Sequence, residues 1–250
     1  MTIVMSIVSS DWITLTVDSA VTQDFGDHRE YEPGPKLWCI GGVGCIATWG
    51  ARDGNQIGNL VIQLRTEAGT LSPDQVAHKV DNYLRQEYRP HELGLEDVGY
   101  HVAGFEKERP RLHHLVWGIR RPALSTSSPV QEYHWSQHHP VGQEIQLVYN
   151  GRNDLAERVV LSLLDEIGPG RDTNFNLADP IDCIRFGDFV ARFAAELTPQ
   201  VGPPFRTAII LPDGHIGEVA NDGPCPIARE TIVNELARLG LVMRPNKLRG

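Results

Sequence analysis

Three side chains in the first stretch of the chain, Thr2, Asp18 and Lys36, are of the types that make an acyl-transfer centre. Once an aminopeptidase removes Met1, Thr2 carries a hydroxyl and a free α-amine on one residue. That is a nucleophile and a base in a single amino acid. The amine has a reference pKa near about 8, so its neutral form is available to take the hydroxyl proton, directly or through a water. A lysine held beside a carboxylate stays charged, and a fixed cation lowers the pKa of a neighbouring amine and hydroxyl. Lys36 is therefore the candidate electrostatic activator and Asp18 the group that orients it. Gly50, at the end of an apolar run, supplies a backbone N–H free of side-chain obstruction, suited to holding an oxyanion.

The elements that must position these groups are legible as alternating or β-branched runs. Residues 3–8 and 12–17 flank Ser9-Ser10-Asp11 and predict a hairpin. A hairpin returns the end of its second strand to the start of its first, which sets Asp18 near Thr2. Residues 31–35 read as a turn-rich loop, 36–40 as a strand opened by Lys36, and 43–48 as a fourth strand before Gly50. Helices are predicted over 52–68 and 72–84, the second opened by Ser72-Pro73-Asp74-Gln75, a cap, an N1 proline and a capping-box partner. Residues 98–105 and 111–117 predict another hairpin.

The stretch 122–142, with His134, His138 and His139, reads as a surface loop, because no acidic or cysteine partner stands at metal-ligand spacing. A strand over 143–149, helices over 154–167 and 180–197, strands over 205–211 and 215–219 and a last helix over 227–239 complete the pattern. The turn between the last strands is Pro212-Asp213-Gly214. No linker or internal repeat divides residues 1–250, so one domain is expected.

Composition narrows the function classes. The chain has 23 Lys and Arg against 32 Asp and Glu, a formal charge of −9, which argues against nucleic acid and anionic membranes as partners. No apolar stretch approaches the ~18 residues of a membrane span, and a cytoplasmic location is expected. Cys39, Cys45, Cys183 and Cys225 form no CxxC pair. Buried reduced thiols are expected rather than disulfides or zinc ligands. No cofactor or metal is called for by this chemistry.

Thr2-Ile3-Val4, Val17-Asp18-Ser19-Ala20-Val21-Thr22, Lys36-Leu37 and Ala47-Thr48-Trp49-Gly50 resemble the β-subunit of the 20S proteasome and its bacterial relatives, a threonine-peptidase family of N-terminal-nucleophile hydrolases. The resemblance covers roughly residues 2–220 and is concentrated before Gly50. It implies an α+β fold, a four-layer α-β-β-α sandwich of two stacked antiparallel sheets. It also implies Thr2, Asp18, Lys36 and Gly50 as the reacting set, Thr22 as a contact to the substrate backbone, and Trp38, Thr48 and Arg52 as the lining of the pocket for the residue before the cut. Arg52 in that place implies a preference for acidic side chains.

The partners implied are a peptide or protein substrate, other copies of the chain in a ring or split ring, and an unfolding ATPase whose involvement the sequence leaves open. The chain departs from the family in two places. Arg152 follows Gly151 where a serine is usual, and residues 198–202, Thr-Pro-Gln-Val-Gly, replace an aspartate and a serine. These departures motivate a second reading, a catalytically silent subunit that serves as a scaffold or binding module. A third is an amidase or transpeptidase acting on one small substrate.

Overall fold

A computed structural model of the chain describes residues 3–24, 29–50, 56–88, 97–120, 130–142, 144–151, 175–198, 200–223, 225 and 227–241. Thr2, Arg52, Arg152, the predicted helix over 154–167 and the C-terminal tail lie outside the described residues.

Strands β1 (Ile3–Val8) and β2 (Ile13–Val17) form the predicted hairpin, with Val4 opposite Val17 and Val8 opposite Ile13. Ser9 fixes the turn: its hydroxyl donates to the Trp12 carbonyl at 3.0 Å and accepts from the amides of Asp11 and Trp12. A short pair absent from the sequence reading follows, β3 (Ala20–Asp24) and β4 (Arg29–Pro33), forming a two-stranded sheet of its own. The predicted loop over 31–35 is thus corrected: its first three residues end β4.

Next come β5 (Leu37–Ile40), β6 (Gly44–Gly50), α1 (Gln56–Glu67) and α2 (Pro73–Asn82). The Ser72 capping box is formed, the Ser72 hydroxyl accepting from Gln75 N–H and the Gln75 side chain accepting from Ser72 N–H. Strands β7 (Asp97–Glu106) and β8 (Arg109–Arg120) meet at Lys107 and Glu108, both with positive φ, the two-residue turn whose twist matches a hairpin.

Residues 130–138 are not a loop. They form β9 (Val130–His138), which pairs with β8 along its length. Strand β10 (Gln146–Gly151), helix α3 (Pro180–Leu197), strands β11 (Phe205–Ile210) and β12 (Ile216–Asn221) and helix α4 (Arg229–Arg238) close the described chain.

Two five-stranded antiparallel sheets result, one in the order β10-β1-β2-β11-β12 and the other β5-β6-β7-β8-β9. Alternation along the strands sorts the side chains into layers. Val4, Leu15 and Val17 of the first sheet meet Cys45, Ala47, Trp49 and Ala103 of the second. On the outer faces, Ile3, Met5 and Ile7 pack against Phe186 and Val190 of α3, and Trp38, Ile46 and Tyr100 against Val61, Val76 and Val80 of α1 and α2. The architecture is the α-β-β-α sandwich that the sequence implied.

Helix α3 lies close to the first sheet because residue 187 is glycine. A Cβ there would stand 2.1 Å from the Thr16 hydroxyl, which is itself 2.9 Å from that of Thr207 on β11.

Candidate active site

Because β1 and β2 pair in register, the residue after Val17 is brought back to the first described residue of the chain. Asp18 N–H donates to the Ile3 carbonyl at 3.3 Å, and Ile3 N–H donates to Asp18 Oδ1 at 2.9 Å. The Asp18 carboxylate also accepts from Ala20 N–H at 3.0 Å and Gly202 N–H at 3.4 Å. Lys36 Nζ completes its shell, 3.1 Å from Oδ1 and 3.0 Å from Oδ2. Both side chains are out of water, at 0% exposure for Asp18 and 2% for Lys36.

Burial, the largest influence, leaves the Asp18 carboxyl above its ordinary value, opposed by the Lys36 charge and the Ile3 and Ala20 amides. A carboxylate that accepts from three backbone amides and a lysine on its two oxygens is held as the anion by geometry. Lys36 is in turn tied to the second sheet, since its carbonyl accepts from Thr48 N–H at 2.9 Å.

The loop that departs from the proteasome pattern reaches this centre through its backbone. Besides the Gly202 N–H on Asp18, the Gly202 carbonyl accepts from Ser19 N–H at 2.9 Å, and the Ser19 hydroxyl donates to the Pro204 carbonyl at 2.5 Å. Thr198 caps the end of α3, its hydroxyl accepting from Gln200 N–H. Main-chain donors carry no residue-type signal, so no residue type in this stretch marks them.

Among the other residues singled out from sequence, Gly50 is the last residue of β6 and has φ +83°, a conformation glycine adopts without cost. Thr22 lies on β3 opposite Tyr31. Trp38 is buried in the core between the second sheet and α1 and α2. Thr48 is buried, and its hydroxyl donates to the Gly99 carbonyl at 3.1 Å. Both stand on the helix-facing side of the β5–β6 ladder, together with Ile40 and Ile46.

Between the two sheets the structure reveals a second polar group that the sequence reading missed. Ser6 of β1 lies 2.6 Å from His101 Nδ1, and His101 Nε2 lies 2.7 Å from Asn150 Oδ1 on β10. With the Asn150 oxygen accepting, Nε2 carries the proton and Nδ1 accepts from the Ser6 hydroxyl. His101 is fully buried, and burial lowers its pKa to about 4, so it is neutral at pH 7. The ring of His114 on β8 stands edge-on to it at 4.8 Å. This chain of bonds joins the two sheets next to the start of β1, since Asn150 pairs with Val4. Its closest sequence signal is Ser6, a polar residue at an inward position of an apolar strand. His134 and His138 share the inward face of β8 and β9, and no three metal-ligating groups converge among the described residues.

Chains of known structure share this fold. An Anbu mutant from Hyphomicrobium sp. strain MC1 superposes with a TM-score of 0.55 at 10% identity, over 95% of this chain and 94% of that one. Anbu (ancestral beta-subunit) from Yersinia bercovieri gives 0.56 at 12% identity, over 98% and 99%. The fold is that of Anbu. No family model matches the sequence, and no curated protein does. The resemblance that placed the chain among the proteasome β-subunits and threonine peptidases is corrected accordingly. At 10–12% identity, what is shared with Anbu is the scaffold, and family membership does not follow from it. No described helix is long and apolar enough to cross a membrane.

Proposed function

We propose that the chain is an amide hydrolase that uses Thr2, freed of Met1, as its nucleophile. The observation that carries this reading is the bond from Ile3 N–H to Asp18, made by the same carboxylate that grips Lys36. A buried cation is thereby fixed beside the residue that follows Thr2. Few purely structural needs call for such a pair, because replacing it with apolar side chains of similar volume is often neutral or stabilising.

In this reading the α-amine of Thr2 takes the hydroxyl proton, and Oγ attacks the carbonyl carbon of a peptide bond. The Lys36 ammonium favours the deprotonated forms of both groups, and Asp18 holds Lys36 in place. The Gly50 N–H receives the developing oxyanion. The amine then returns the proton to the leaving amine, and water releases the acyl group by the reverse sequence. Thr22 meets the substrate backbone, and Trp38, Thr48 and Arg52 bound the pocket for the side chain before the cut, with Arg52 favouring acidic residues. The whole chain acts as one domain. Because the Anbu neighbour is described as a subunit, we extend the proposal to self-association of the chain.

The test uses protein whose amino terminus is Thr2, confirmed by intact mass, with a panel of acyl-coumarin peptides. Turnover is expected, highest with glutamate or aspartate before the coumarin, and Thr2→Ala lowers it by more than about a thousandfold. Absence of Thr2-dependent turnover from the confirmed terminus, in assembled and dissociated protein alike, overturns the hydrolase reading and leaves a scaffold subunit.

A further inference from the structure

The antiparallel ladder of β5 and β6 sets Cys39 directly opposite Cys45. Thr48 N–H donates to the Lys36 carbonyl, so Lys36 and Thr48 are a hydrogen-bonded pair of this ladder. Pairs alternate, and three positions on, Cys39 and Cys45 fall on a non-hydrogen-bonded pair, the kind in which facing side chains come closest. Such pairs have Cα separations of about 4.5 Å, inside the window a disulfide spans. The two sulfurs stand 3.1 Å apart, with the Cys45 thiol donating to Cys39 Sγ.

The environments of the two thiols differ in a way that orders a reaction. Cys45 is buried, and its thiol is pushed well above its ordinary pKa by burial and by the Cys39 sulfur. Cys39 is half-exposed, at an edge strand of the second sheet. Its thiol donates to Glu218 Oε2 on β12 across the gap between the sheets, at 3.9 Å, while Arg206 Nη1 holds the other Glu218 oxygen at 2.9 Å. Arg65 Nε donates to the Cys39 carbonyl at 3.0 Å. An accessible sulfur thus has a proton acceptor on one side and a second thiol on the other.

We propose that Cys39 and Cys45 are a modification site that hydrogen peroxide converts into an intrachain disulfide across the β5–β6 hairpin. Glu218 accepts the Cys39 thiol proton as the sulfur attacks one peroxide oxygen. The O–O bond breaks, and the departing hydroxide takes that proton as water, leaving Cys39 as a sulfenic acid. Cys45 Sγ then attacks Cys39 Sγ, the S–O bond breaks, and the leaving hydroxide takes the Cys45 proton as a second water. Two thiols have given two electrons to one peroxide. Proximity of the facing thiol makes this second step intramolecular and favours it over capture by a free thiol or further oxidation.

Both cysteines fall in one tryptic peptide, residues 37–52, because no lysine or arginine lies between them. The full-length chain is treated with hydrogen peroxide, alkylated under denaturing conditions and digested. The expected product is the 37–52 peptide without alkyl groups and lighter by two hydrogen atoms, taking up two alkyl groups after reduction. The thiol count per denatured chain should fall from four to two, the four cysteines less the bridged pair. In Cys45→Ser the reaction stops at a sulfenic acid on Cys39, trapped by dimedone, and reductant-reversible protection is lost. Full alkylation of residues 37–52 after peroxide, a sulfinic acid on Cys39 in the unaltered chain, or a bridge from Cys39 to Cys183 or Cys225 overturns the proposal. The mapping on the unaltered chain decides it whether or not the variant folds.

Discussion

Lys36 and Asp18 are an ion pair with both carboxylate oxygens within 3.1 Å of the ammonium and almost no contact with water. Such a pair is balanced: desolvation of both charges opposes their attraction, and loss of either partner strands the other. Lys36→Met should therefore destabilise the chain by about 3–5 kcal/mol. Urea midpoints measure this. A loss under about 1 kcal/mol would mean that Asp18 is protonated or hydrated in the folded chain.

The loop from Thr198 to Pro204 meets the pair through backbone groups, with one side chain, Ser19, fastening it from the other side. Ser19→Ala removes the hydroxyl bond to the Pro204 carbonyl and should cost about 1 kcal/mol of stability. On the proposed function it also lowers kcat more than it raises KM, since the loop positions Asp18 and has no placed contact with substrate. A pure KM effect would contradict that role.

Close approach of α3 to the first sheet rests on Gly187. A methyl group at that position meets the Thr16 hydroxyl at 2.1 Å, so Gly187→Ala forces the helix outward or breaks the bond between Thr16 and Thr207. The expected loss is about 1–3 kcal/mol. Adding Thr16→Ala to Gly187→Ala should recover part of it, and a double-mutant cycle with no coupling would show that the helix yields instead.

His101 makes stability depend on pH. Above its ordinary pKa of 6.5 the ring is neutral in both folded and unfolded chains and adds no dependence. As pH falls below 6.5, the unfolded chain binds a proton that the buried ring refuses until about pH 4. Stability is thus lost as pH falls through that window, by about 3 kcal/mol from this residue alone. Burial depresses His114 and His138 as well, so the measured fall is shared among the inward histidines. His101→Gln should flatten the slope of the urea midpoint against pH between 6.5 and 4. An unchanged slope would assign the whole effect to the other rings.

What the sequence determined by itself was local. The runs at 3–8 and 12–17, the capping box at Ser72 and the apolar stripe of 180–197 fix their own structure through side-chain alternation and capping chemistry, and each appears where it was read. Because a hairpin folds its ends together, the same logic brought Asp18 back beside Ile3.

Tertiary structure alone decided the rest. Residues 130–138 look like a polar loop because β9 is an edge strand with an exposed side, and its partner β8 precedes it across the undescribed residues 121–129. The β3–β4 pair carries no regular apolar pattern, being a small sheet apart from the two large ones. Gly202 reaches Asp18 through an amide that every residue but proline possesses, which leaves no mark on residue type. The meeting of Ser6 with His101 and of Cys39 with Glu218 needs two sheets stacked in one relative position. That position is set by the packing of side chains distant in sequence, and no short stretch of the chain contains it.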